Sequence, residues 1–412
     1  MLTRRSTFKA VAGVAATAAL GASHSAEAAD QVVKIALEMS FTGADATAAV
    51  RAAQGAMMAI DGANAAKTVP GVKFEYEKFD DGTATAGQYD PAQGATNARK
   101  MVSDKQIMAS VGPQMSGVGK AMSPILSAGS LATITPASTN PDITDPKFAA
   151  QYIPNGKPVY FRTVATDAYQ GPNMANYMAG TLKVKTIYVL DDSGAYGVGL
   201  ADAFQAQAEK KGIKVLGRDK LDPKAADYSA ILTKIKSLNP DAVYYGGVGQ
   251  AGIKLAKQGY DIIPNVIKAG GDGMFGADML TGAGFPAVEG WYATQASPHV
   301  VDDPKLAKWS KAYSEKYKMG PDDYTVTSYD AALVIIGAVK SLKTAGKPIT
   351  RENVRDAIHA AKVDTLQGPV EFDANGDLKN KVISVFQIKK NSDGPLDDPA
   401  SQYKYVGVAP TV

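Results

Sequence analysis

The chain contains no cysteine, which excludes disulfides, thiolate metal sites and cysteine nucleophiles. Histidine is nearly as scarce: one of the three, His24, lies in an N-terminal leader, leaving His299 and His359. Neither adjoins a G-x-S-x-G elbow, and no such elbow occurs, so a hydrolytic triad has little to be built from. His299 follows Pro298, and His359 sits in the helical pattern VRDAIHAAK; both read as surface histidines. An excess of one charge is also missing. The 44 Lys and Arg against 41 Asp and Glu leave a formal charge of +3, which favours neither nucleic acid nor another polyanionic partner. Beyond the leader no stretch stays apolar for the roughly 18 residues that a membrane-spanning helix needs, so the mature chain reads as soluble.

The leader itself is MLTRRSTFKAVAGVAATAALGASHSAEA. Arg4, Arg5 and Lys9 form a basic head, residues 10–22 an Ala-rich apolar stretch, and Ala26-Glu27-Ala28 a small-x-small cleavage site. This is the pattern of a removable export signal over residues 1–28. The Arg4-Arg5 pair followed by Ser6, Thr7 and Phe8 suggests the twin-arginine route, with Thr7 standing where a hydrophobic residue is usual. No cysteine follows the apolar stretch, which argues against a lipid anchor. Export leaves 41 basic and 40 acidic residues, a net charge of +1, on roughly 380 residues, enough for two domains.

What is present is a repeated alternation of β-rich runs and helical patterns. VVKIALEM (32–39), VKFEYEKFD (72–80), QIMASVG (106–112) and LATITP (131–136) alternate with amphipathic stretches, one of them opened by Asp90 as N-cap and Pro91 as first helical residue. The pattern restarts with VKTIYVLDD (184–192), IKVLGRDKL (213–221), DAVYYGG (241–247) and NVIKAGG (265–271). Helices are expected near 304–318, 325–344 and 351–361, a hairpin or bent strand at GPVEFDANGDLK, and a last strand at KVISVFQIKK. Such alternation predicts an α/β chain with two parallel sheets covered by helices. The strand ends are small or polar: SFTGADA, GPQMSG, TPAST, DDSGAYG, GGVGQAG and GGDG. In open α/β sheets ligands bind beyond these carboxyl ends, although strand-to-helix turns call for Gly, Ser and Asp in any case.

Several motifs point to chemistry. GVGQAG (247–252) fits the dinucleotide pattern G-x-G-x-x-G, with Asp272 20 residues beyond Gly252, but it lies in the third unit of the second sheet rather than in a first βα turn. DANGD (373–377) offers alternating oxygen donors, yet Leu378 and Ser384 stand where a calcium loop needs Gly and Glu, so a turn is expected and no metal. GPQMSGVGK lacks the ending of a phosphate loop. Recognition without reaction remains. Ser116 at a helix N-terminus suits a carboxylate; a carbonyl at Ala137 with the hydroxyl of Thr139 suits an ammonium; Asp272 could pair with that ammonium.

At these residues the chain resembles the periplasmic solute-binding proteins of ABC importers, and within them the branched-chain amino acid (leucine/isoleucine/valine) binding family. The ordered landmarks are VKIALEMSFTG, GAMMAIDGANA, FDD, GPQMSG, TPASTNPDIT, VYFRTVATDAYQGPNMANYM, DDSGAYGVGLADAF, YSAILTKIKSLNPDAVYYGG and GPVEFDANGDLK. The resemblance implies two Rossmann-like lobes joined by three crossovers, the type I periplasmic binding protein fold. The crossovers should fall near 165–167, 294–297 and 379–382. The first lobe would comprise 29–165 plus 296–380, and the second 166–295 plus 381–412. It implies ligand contacts at Ser116, Ala137, Ser138, Thr139, Tyr196 and Asp272, no catalysis, no cofactor, a monomer in the periplasm, and an ABC permease with its ATPase as partners. The leading ligand is an amino acid or a related small carboxylate. A ligand sensor on the same fold and an exported, cofactor-bound oxidoreductase using GVGQAG are the alternatives. Three departures stand out: the family disulfide is impossible and 82–89 looks like an insertion there, while Ala48 and Val248 stand at positions that often carry aromatics. Two missing rings predict a roomy pocket and a ligand bulkier than valine.

Overall fold

The computed structural model describes residues 30–411. The export leader expected over 1–28 lies outside the described residues. Five strands, Val72–Asp80, Gln31–Met39, Ile107–Val111, Ala132–Thr135 and Tyr160–Arg162, lie side by side in that order, all parallel. The second sheet runs Tyr403–Val408, Ser384–Ile388, Tyr292–Gln295, Ile267–Gly270, Ala242–Gly246, Thr186–Asp191 and Lys214–Lys220. Its last five strands are parallel, and the two at the other edge are antiparallel. Parallel strands are covered on both faces, which is why they read as apolar runs: the last five residues of Gln31–Met39 are all buried.

The local signals set the helix starts. Asp90 accepts the Ala92 N–H and Pro91 occupies the first position of Pro91–Ser103. Helix Ser116–Ala128 begins at Ser116 itself, and Asp323–Thr344 begins with a capping box between Asp322 and Thr325. Among the described residues Asp323–Thr344 is the one helix long and apolar enough to cross a membrane. Fifteen of its 22 residues are buried, and it packs along Ala46–Ala65, so its apolar character serves the core.

After crossing to the second sheet past Arg162, the chain returns past Gln295, covers the first sheet with Asp323–Thr344 and Arg351–His359, and crosses again before Ser384. Ala165 N–H donates to Ala296 O at 2.7 Å, so two crossings run side by side. The stretch GPVEFDANGDLK folds back as a tight hairpin, with Phe372 bridged to Leu378, the Asp373 N–H donating to Asp377 O at 2.8 Å and the Lys379 N–H to Glu371 O at 3.0 Å; its strand Gly368–Glu371 also pairs with Lys362–Thr365 upstream. Two expectations need correction. A final strand, Tyr403–Val408, follows the one expected last; its register shifts beside Val385, which breaks the period-2 pattern. The two histidines are half-buried rather than on the surface. His359 Nε2 meets Asp373 O at 2.9 Å, and His299 lies between Asp302 and Asp323.

Arg162, fully buried at the end of its strand, organises the first lobe's site side. Its Nε donates to Ser138 O at 3.0 Å, Nη1 to Thr144 Oγ1 at 2.7 Å, and Nη2 to Asn140 O. Its charge is met by Asp377. The DANGD stretch is thus a turn, closed by Asp373 Oδ1 accepting the Asn375 and Asp377 N–H groups. Gly376 must be glycine there, since its φ is +97° and a Cβ would lie 2.4 Å from Tyr160 O.

Replacing Arg162 by Met leaves Asp377 uncompensated and two buried carbonyls without donors. The expected loss is about 3–5 kcal/mol in urea unfolding, and the double variant Arg162→Met/Asp377→Asn should lose less than the sum of the single changes.

His299 gives a second expectation. Burial pulls its pKa down, but hydrogen bonds and charge from Asp302 and Asp323, both at 3.1 Å, outweigh this and raise it to about 9. A raised histidine contributes fully below its ordinary value of 6.5 and loses that contribution as pH rises through about 9. Parent stability should therefore fall between pH 6.5 and 9 more steeply than that of His299→Gln in chemical unfolding at stepped pH.

Candidate functional site

The carboxyl ends of the two sheets face one another around a cavity of about 40 Å³. Ser116 and Ala137 line it from the first lobe, Tyr196 and Asp272 from the second. Four of the six residues expected at the site therefore meet around one space. Ser138 and Thr139 are not among its lining residues. The turn explains this: Thr135 Oγ1 accepts the Ala137 and Ser138 N–H groups at 3.2 and 2.8 Å and curls the chain inward. The Ser138 hydroxyl then donates to Ser116 Oγ at 3.3 Å, and Thr139 Oγ1 is buried beside Asp167, whose carboxyl it helps to hold down in pKa. Ser116 Oγ also accepts the Asn140 N–H at 3.3 Å, so the helix start and the strand end hold each other.

Asp272 is 3 % exposed and is the most heavily bonded group in the cavity. Tyr196 OH donates to its Oδ1 at 2.6 Å, and Tyr324 OH lies 3.1 Å from Oδ2. Its N–H donates to Gln170 Oε1 at 2.8 Å, and Gln170 Nε2 in turn holds Asp167 Oδ1 at 2.8 Å. Burial pushes the Asp272 carboxyl up, and the bonds from Tyr196, Gln170 and Tyr324 pull it partly back. Tyr324 comes from the first lobe's helix Asp323–Thr344, so this carboxylate is shared between lobes.

Tyr324 and Phe275 were missed by sequence reasoning. Their rings meet edge-on at 6.3 Å and line the cavity together with Ala48 and Val248. They overturn the expectation of a roomy pocket, because aromatic surface arrives from two other segments. Phe275 lies three residues beyond Asp272, and a reading of the whole GGDGMF strand end would have included it.

The lobes are fastened by reciprocal helix capping. Asp278 of the second lobe accepts the Thr47 and Ala48 N–H groups at 3.2 and 2.9 Å, at the start of the first lobe's helix Ala46–Ala65. Asp45 of the first lobe accepts the Gly249 N–H at 3.2 Å, at the start of the second lobe's helix Gly249–Ile262. Each pairing puts a carboxylate at the positive end of a helix. Asn140 Nδ2 to Ala195 O, at 2.9 Å, adds a further cross-lobe bond. Residues 82–89 form a short hairpin, Gly82–Thr83 with Gln88–Tyr89, and Gln250 reaches its Ala86 O.

This geometry also accounts for GVGQAG. The helix start that a pyrophosphate would occupy in a dinucleotide fold carries the Asp45 carboxylate instead. A Cβ at Gly249 would lie 2.9 Å from Asp45 Oδ1, and one at Gly252 would lie 2.6 Å from the Met274 sulfur. The glycines serve packing between lobes and within the second sheet. Among the described residues no group of three or more His, Asp or Glu side chains could hold a metal ion.

The model of the periplasmic binding proteins matches residues 32–395. The chain belongs to the periplasmic binding protein family. It is 32% identical over 356 residues to the Leu/Ile/Val-binding protein BraC3 of Rhizobium johnstonii, covering 86% of this chain and 91% of that one. It is 31% identical over 379 residues to the leucine-, isoleucine-, valine-, threonine-, and alanine-binding protein of Pseudomonas aeruginosa, covering 92% and 95%. The crystal structure of the leucine binding protein LivK from Thermotoga maritima superposes with a TM-score of 0.77 at 25% identity, covering 92% and 98%. The architecture is the type I periplasmic binding protein fold. Family members are binding proteins rather than enzymes.

Removing the cap at Asp278 should loosen closure without unfolding either lobe. Asp278→Ala is expected to enlarge the radius of gyration in solution scattering and to weaken every ligand by a similar factor, corresponding to about 0.5–2 kcal/mol.

Proposed function

We propose that this protein captures a free amino acid between its lobes and delivers it to an inner-membrane ABC permease. The observation that carries this reading is the pairing, across one small buried cavity, of Ser116 at a helix N-terminus with the Asp272 carboxylate. The first suits an α-carboxylate, through a hydroxyl and free N–H groups; the second suits an α-ammonium. In this reading the Ala137 carbonyl also serves the ammonium, Tyr196 orients Asp272, and the Thr139 hydroxyl turns from Asp167 to the ligand. Names of the relatives, which include leucine, isoleucine and valine binders, support the amino acid class.

The finer parts of the reading go with it. The first lobe is 29–165 plus 296–380 and the second 166–295 plus 381–412, in keeping with the strand membership of the two sheets. The protein acts as a monomer without catalysis, the permease is driven by its ATPase, and residues 1–28 direct export to the periplasm, with Arg4-Arg5 for the twin-arginine route. The reciprocal caps favour transport-type closure, in which the ligand is engulfed.

Two measurements test this. Ser116→Ala and Thr139→Ala should each weaken binding by about 1–3 kcal/mol in calorimetry, and Ser116→Ala should also lower stability in chemical unfolding, because the Asn140 N–H and the Ser138 hydroxyl lose their acceptor. The parent should bind an amino acid far better than its des-amino analogue, and Asp272→Asn should shrink that preference. A parent that prefers the des-amino carboxylate would show that Asp272 has another role.

A further inference from the structure

Two hydrogen-bond acceptors in the cavity remain without donors. Asp45 is 7 % exposed; its Oδ1 takes the Gly249 N–H, while Oδ2 is buried and unpartnered. Gln114 is 8 % exposed, and its side-chain oxygen is likewise buried and unpartnered. Both residues line the same cavity as Asp272, and no Lys, Arg or His lines it with them. A buried acceptor left unpaired is costly, and among the described residues no donor bonds these two.

The charge around Asp45 makes an unpaired carboxylate there costly. Burial, and then the carboxylates of Asp278, Asp192 and Asp81, raise its pKa to about 7; only the Gly249 N–H pulls it back. Asp272 has a different set of partners, Tyr196, Tyr324 and Gln170. The cavity thus has two acceptor poles with the apolar Ala48 and Val248 also on its wall. An α-ammonium at Asp272 leaves the second pole unused.

We infer that the ligand carries a second hydrogen-bond donor, on its side chain, and that Asp45 with Gln114 receives it. The inference rests on the amino acid reading above and names the ligand class within it: a short amino acid with a side-chain hydroxyl or amine. Length is limited because a cavity of about 40 Å³ compares with about 10–15 Å³ for a single water by the same kind of measure.

Calorimetric titration of the exported form with two isosteric pairs tests this. Threonine against valine isolates a neutral hydroxyl, and 2,4-diaminobutyrate against norvaline isolates a cation. Members of a pair share shape and α-groups, so loss of closure affects both alike. The donor-bearing member should bind at least tenfold tighter in one pair or both, and the pair identifies the donor. Asp45→Ala should bring that ratio close to one, and Gln114→Leu, which leaves the Gly249 bond intact, should reduce it severalfold. Apolar members bound as tightly as, or tighter than, their partners in both pairs would overturn the inference alone. So would variants that keep the parent ratio. Binding of des-amino carboxylates but of none of the four amino acids would overturn the amino acid reading and this inference with it.

Discussion

The buried guanidinium of Arg162 is the fixed point of the binding side of the first lobe. A strand end that turns back toward a ligand leaves carbonyls pointing into the protein, where an unpaired acceptor costs about 1–3 kcal/mol. Arg162 supplies rigid, planar donors to Ser138 O, Asn140 O and Thr144, and Asp377 balances its charge. The shape of the PASTN turn is therefore imposed by the neighbouring strand and by a turn more than 200 residues later in the chain. Lysine could not replace this, since a point charge cannot serve three directions in one plane.

Closure uses a second economy of parts. Each lobe begins a helix at the cleft, and each lobe lends the other a carboxylate for that helix start. The interface is thus built from groups that would otherwise be open: four N-terminal N–H groups on each helix lack intrahelical partners. The same residues shape the pocket, because Asp45, Ala48 and Val248 line it. Recognition and closure are one surface.

The architecture was legible because its signals are local. Alternating apolar runs, the Asp90-Pro91 helix start and the small, polar strand ends each lie within a few residues of the element they specify. Ser116, Ala137 and Asp272 could be named as site candidates because each follows a strand or opens a helix, and Tyr196 was named through the resemblance to the family. The remainder depends on contacts between distant segments. Nothing near Tyr324 says that its hydroxyl reaches Asp272, 52 residues earlier, and nothing near Ala48 announces Asp278. Deleting two aromatics looked like enlarging the pocket, since a sequence does not display the rings that enter from elsewhere. The Asp302 and Asp323 clamp on His299 was hidden for the same reason.

Gly276 carries a consequence for how such a pocket can diversify. Its φ is +142°, and a Cβ there would lie 3.8 Å from the Ala48 methyl. Two residues on, Asp278 caps the backbone of Ala48 itself. A larger residue at 48 would press on the cavity it lines and on the segment that fastens its own helix, so changing this wall bears on the balance between open and closed forms as well. Selectivity and residence time are coupled traits here, and a lineage changing one would have to move through changes in the other.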